Sequence, residues 1–176
     1  VVSYAGLKAA RLLKEKYGTP YLAWWPCGSK EEKRFIENVK SVLDHKEWKE
    51  QPVQKEDGLR ALIISEQISG NAVRKCLQEE HGVGEAVVAS FFGMDPELMQ
   101  ECDQSLDAER DLVDLVEKSR PFDLVIADEE YRALLPYEPR QYVAIPHMAV
   151  SGVLHYKEAF DLVGRHADGY WSMVLS

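Results

Sequence analysis

The stretch Ala144-Ile145-Pro146-His147-Met148-Ala149-Val150-Ser151-Gly152 sets an ionisable, metal-capable imidazole directly behind a short apolar run that a proline ends. A neutral imidazole in that place can ligate a metal or relay a proton. A ring hydrogen-bonded to a neighbouring carbonyl is the structural alternative. His155 lies further on and does not match His147 at any helical ligand spacing. Ser151-Gly152 reads equally as an anion-binding turn or a helix start. A second polar stretch, Ser65-Glu66-Gln67-Ile68-Ser69-Gly70-Asn71, also follows an apolar run. Glu66, Gln67 and Ser69 are candidate cofactor contacts there, and Ser69 or Asn71 acting only as a helix cap is the alternative. This stretch has one glycine, and its glutamate stands where a pyrophosphate would approach, which argues against dinucleotide binding in the G-x-G-x-x-G mode. No G-x-x-x-x-G-K-[ST] loop occurs in the chain.

Three further constellations carry less. Cys27 falls between a strand end and a helix N-terminus, a place for a reactive thiol, with a half-exposed structural thiol as the alternative. Cys76 reads as packing on the inward face of a helix, and Cys102 sits inert in an acidic stretch. Ser151, His147 and Asp128 assemble a hydrolytic triad on paper, but the G-x-S-x-G elbow that would present the serine is missing.

The elements that must position these residues follow from periodicity. Residues 4–17 place Leu7, Ala10, Leu13 and Tyr17 on one helical face, and Gly18 is the stop. Residues 21–25 read as a strand, and Ser29 with Glu32 as a capping box opening a helix over 30–44. Strands are predicted over 59–65, 85–92, 122–127 and 141–145, and a helix over 68–80. Residues 95–118 read as one or two acidic helices, with the acidic run 95–114 as a solvated helix face, and shorter helices are expected at 129–134, 156–163 and 170–175. The strands are continuous apolar runs, so both faces must be covered. Strands and helices that alternate at this interval predict an α/β fold: a doubly wound parallel sheet in a Rossmann-like three-layer α/β/α arrangement. Ligands in such sheets sit beyond the carboxyl ends of the strands. That singles out 26–29, 65–71, 92–95, 128–130 and 146–152.

The chain has 176 residues, 45% of them hydrophobic, and a net charge of −9. Chains of this size bury roughly 70% of their unfolded surface, enough for one substantial core. The negative balance argues against a nucleic-acid or anionic-membrane surface. No apolar run is long enough to cross a membrane. Three widely spaced cysteines favour reduced thiols and a cytoplasmic setting over a disulfide framework. The start lacks an initiator methionine and enters a helical pattern at once, as if cut from a longer polypeptide.

Three segments in order resemble a known family. GLKAARLLKEKYGTPYL with the turn and helix after it, LRALIISEQISGNAVRKCL, and VAIPHMAVSG resemble the C-terminal part of the nitrogenase component 1 superfamily, over nearly the whole chain. The resemblance implies a region of a nitrogenase-like oxidoreductase that lines a metal-cluster cofactor or substrate cavity. Electrons would come from an ATP-dependent iron–sulfur reductase. His147 matches the histidine presented to the cofactor, and Glu66, Gln67 and Ser69 fall where the family's Gly-Gly-x-Arg loop lines the same cavity. The family's anchoring cysteine would fall near Val2 or Ser3, where none stands. The resemblance therefore implies an iron–sulfur or related metal cluster only in the full-length protein, and no cofactor or metal ligand in these residues alone. Upstream domains of the same chain and a related subunit are the implied partners. A non-catalytic scaffold that binds a cofactor precursor, a tetrapyrrole or a partner chain is the alternative. The expected organisation is a helix–strand–helix segment at 1–46, a linker at 47–58 and the Rossmann-like domain at 59–176.

Overall fold

Four short apolar segments hydrogen-bond side by side because each is too hydrophobic for solvent and too short to span more than one layer. The structure, a computed structural model, describes residues 1–44, 57–152, 154 and 161–175. Its elements in order are α1 (Leu7–Tyr17), α2 (Ser29–Leu43), β1 (Leu59–Ile64), α3 (Gln67–Glu80), β2 (Val83–Ser90), β3 (Gln104–Ser105), α4 (Glu109–Lys118), β4 (Leu124–Ala127), β5 (Gln141–Ala144) and α5 (Gly164–Val174). The five strands form one sheet in the order β3-β2-β1-β4-β5, with every pairing parallel. The predicted α/β doubly wound architecture is what the chain adopts. The strand order reverses between β1 and β4, which opens a crevice at their carboxyl ends.

Alternate residues of each strand feed two cores. Ala61 and Ile63 of β1, with Leu124 and Ile126 of β4, pack against α3 and α5. Leu62 and Ile64, with Val125 and Ala127, pack against Leu112 and Val116 of α4. Full burial of a Leu or Ile contributes roughly 1.5–3 kcal/mol against about 0.5–1 kcal/mol of lost rotamer freedom, so a strand buried on both faces holds its register firmly. α2 packs on α3 and α5.

Several local expectations are corrected. Residues 21–25 are apolar and extended but join no sheet. The amide of Trp24 donates to the Val1 carbonyl, and Leu22 and Trp24 are buried against α2. Ser29 does not cap α2; its N–H and hydroxyl both donate to the Asp168 carboxylate of α5. The face assigned to α1 is only half covered, because Leu7 and Ala10 are buried while Leu13 and Tyr17 are exposed. The acidic stretch 95–118 is not one solvated face. It holds a 3-10 turn at Pro96–Leu98, then β3, then α4, and its Asp95 and Asp103 are buried. Asp103 accepts from Arg74 and from the amide of Val88, which lies on the edge of β2 that the two-residue β3 leaves open. Cys27 is fully buried rather than half-exposed. The predicted linker falls almost wholly outside the described residues, as do most of the predicted helix at 156–163, His155 and Trp48. The described part of that helix, 161–163, is not helical.

Candidate functional site at the carboxyl rim

The segments after β1, β2, β4 and β5 all emerge on one edge of the sheet because the strands are parallel. Asp128, just past β4, organises the loop after β5. Its carboxylate is 1% exposed. One oxygen, Oδ2, accepts from the His147 amide at 2.7 Å, the Ser151 hydroxyl at 2.6 Å and the Ser151 amide at 3.3 Å. The other accepts from the amide of Glu130. Burial pushes the Asp128 carboxyl up, but these donors outweigh it and hold the group below the usual range. Residues 147–152 then fold back tightly, with the amides of Val150, Ser151 and Gly152 all donating to the His147 carbonyl. The turn requires glycine at 152, where a Cβ would come to 2.5 Å from the Met148 Cα.

This loop throws the His147 imidazole across the end of the sheet. The ring stacks on Phe92, which follows β2, with centroids 4.3 Å apart and planes inclined by 20°. It thus spans from β5 over the crevice to β2. Burial lowers the His147 pKa, and the charges of Glu66 and Asp128 oppose that shift without reversing it. The ring is therefore neutral near pH 7. Nδ1 accepts from the amide of Ala149 at 3.2 Å. A neutral ring that accepts at Nδ1 carries its proton on Nε2. The Nε2 of His147 is therefore a donor.

The other predicted contacts divide. Glu66 lies on the same rim, close enough for its charge to act on His147. It is buried as the N-cap of α3, accepting from the amides of Ile68 and Ser69, and from Tyr4 of the N-terminal segment. Ser69 is half-buried there, its hydroxyl donating to the Glu66 carbonyl and contacting the Ser65 hydroxyl at 3.0 Å. Gln67 is turned away. It is fully buried, and its amide bonds both the N–H and the carbonyl of Asp95. The paper triad does not form: Asp128 holds Ser151 and the His147 backbone, not the imidazole. Beside Glu66 and Gln67 opens a cavity of about 550 Å³, lined by Tyr4, Lys8, Arg11, Glu15 and Asp95 among others. Phe92 and Asp128 lie in the segments after strands that the parallel sheet singles out. Their pairing with His147 joins residues too far apart in sequence for spacing to suggest it.

The rim does not suit an anionic metal cluster. Among the described residues the charged groups acting on His147 are carboxylates, and its Nε2 carries the proton. Cys27 and Cys76 lie towards the far end of α3. No family model, curated protein or solved structure matches this chain. Among the described residues no helix is long and apolar enough to cross a membrane.

Proposed function

We propose that this chain is part of a nitrogenase-like oxidoreductase and that its carboxyl rim walls a substrate cavity. The stacking of His147 on Phe92 at the strand-order reversal carries the reading. The ordered resemblance of three segments to the nitrogenase component 1 superfamily supports it. In this scheme electrons come from an ATP-dependent iron–sulfur reductase, through clusters held by upstream domains or a related subunit and not by this rim. This chain's residues bind and protonate. Phe92 fixes the plane of the imidazole, Asp128 fixes the loop, and the Nε2–H of His147 donates a hydrogen bond to substrate as it is reduced; the proton itself leaves from the imidazolium form, which returns to the neutral ring. Glu66 caps α3 and returns negative charge to the ring, which favours reprotonation.

The test is His147→Ala in the full-length enzyme assayed with its reductase. Removal of a positioned proton donor costs roughly 10²–10⁴-fold in rate, so kcat should fall at least about a hundredfold with KM little changed. Full activity would end the reading. A second reading, a non-catalytic binder of a planar conjugated ligand such as a tetrapyrrole, is favoured by the stacked rims Phe92–His147 and Phe91–Tyr131. It predicts loss of affinity in the same variant and no reductase-dependent turnover in either protein.

A further inference from the structure

The opposite end of α3 gathers a second set of groups. Cys76 lies in its last turns, and His81 is the residue at which the helix ends. Asp168 comes from α5. One ligand atom from each of Cys76, His81 and Asp168 lies within 4.8 Å of the other two. The loop before α2 closes the site, tied to α5 by the Gly164 amide donating to the Pro26 carbonyl. That loop carries the buried Cys27, which packs in the same core cluster as Cys76.

One observation points to an absent occupant. The Nε2 of His81 is buried and has no hydrogen-bond partner among the described residues, a costly state for a polar atom. Cys76 Sγ, Glu80 Oε1 and Asp168 Oδ1 also crowd together at Gly28, where a Cβ would stand 2.8, 2.7 and 3.2 Å from them.

We infer that Cys76 Sγ, His81 Nε2 and the Asp168 carboxylate bind one zinc-type divalent transition-metal ion. Tetrahedral zinc at about 2.0–2.3 Å from each ligand sets its donors roughly 3.3–3.8 Å apart, so about 1–1.5 Å of contraction closes the three-residue set. A sulfur, nitrogen and oxygen mixture selects zinc, cobalt or ferrous iron over magnesium or calcium. An outer shell is in place: the Ser29 amide and hydroxyl orient the Asp168 carboxylate. The Cys76 thiol releases its proton to solvent as the metal–sulfur bond forms. His81 is held neutral chiefly by its burial, the form that ligates. Three protein donors leave the fourth position to a water, and the ion pins α5 to the end of α3. The site lies away from the His147 rim and does not depend on the reading of that rim.

The test is titration of the reduced, purified chain with Co²⁺, followed by competition with Zn²⁺. A thiolate-to-cobalt charge-transfer band with tetrahedral d–d bands should appear and saturate at one equivalent. Zinc should displace it. His81→Ala, at a half-exposed helix end, should weaken binding at least about tenfold, the loss typical even of an outer-shell partner. Cys76→Ala should abolish the band while circular dichroism confirms the fold. The exposed His166→Ala should bind like the parent chain. Absence of a thiolate band at millimolar cobalt, or its persistence in Cys76→Ala, overturns the assignment.

Discussion

The imidazole of His147 and the phenyl ring of Phe92 stack across the carboxyl rim at 4.3 Å. They come from segments after β5 and β2, with β4 and β1 between them in the sheet. Removing Phe92 therefore tests whether this contact orients the imidazole. In Phe92→Ala the ring-current shielding of the His147 carbon-bound protons should vanish and their resonances move downfield. Stability should drop by about 1–3 kcal/mol from lost burial and lost aromatic pairing. Proton NMR of the two proteins reads both expectations. Unmoved His147 signals would mean that the rings do not meet in solution.

Asp128 anchors the loop that carries His147. Truncating it to alanine strands the amides of His147 and Ser151 and the Ser151 hydroxyl, each of which donates to it. A buried donor left unpaired costs roughly 1–3 kcal/mol. Asp128→Ala should lose about 3–4 kcal/mol in urea unfolding, and Asp128→Asn, which keeps an acceptor, about 1–2 kcal/mol. A loss under about 0.5 kcal/mol in the alanine variant would show that the loop is held by something else.

Gln67 separates a rim contact from a core one. Its side-chain oxygen accepts from the Asp95 amide at 2.6 Å and its nitrogen donates to the Asp95 carbonyl at 2.9 Å. Gln67→Leu keeps the volume but leaves the Asp95 amide buried and unpaired, while the Asp95 carbonyl keeps the Leu98 amide, so it should destabilise by about 1–3 kcal/mol. Ligand affinity per folded molecule should stay unchanged. If affinity falls at constant folded fraction, Gln67 reaches the cavity after all.

The sheet was legible because burial on both faces leaves continuous apolar runs, and β1, β2, β4 and β5 all show one. The same signal misled at Tyr21–Trp25: an apolar run reports burial, not a ladder partner, and this one packs against α2 outside the sheet. β3, at two residues, is too short to leave a period. The rim could be located because parallel strands put their ends together, which drew attention to His147 and Glu66. Long-range pairings were not readable. Asp168 replaces the local cap expected of Ser29. Arg74 and Val88 pull Asp103 out of an acidic stretch that composition assigns to solvent. Phe92 under His147 and Cys27 against Cys76 are likewise contacts between residues remote in sequence.

The Asp95–Arg11 pair makes the attachment of α1 sensitive to acid. Asp95 is buried, with a side chain 6% exposed against 42% for Arg11. Burial pushes the Asp95 carboxyl up, but the Arg11 guanidinium and the Glu97 amide together bring it below its ordinary value. A carboxylate with a depressed pKa in the folded state stabilises the fold at pH values above its unfolded pKa. That contribution disappears as the pH falls through the lower, folded value. Asp95→Asn keeps an oxygen to cap the turn at Pro96 but loses the charge. At neutral pH it should be less stable by about 1–2 kcal/mol, limited by solvent screening of the half-exposed guanidinium. Below about pH 4 the gap to the parent chain should narrow, because Asp95 takes up its proton first in the unfolded and then in the folded state. Urea midpoints across that range decide the matter. A gap that stays constant from neutral to acid pH would place the cost of the substitution in packing rather than in the ion pair.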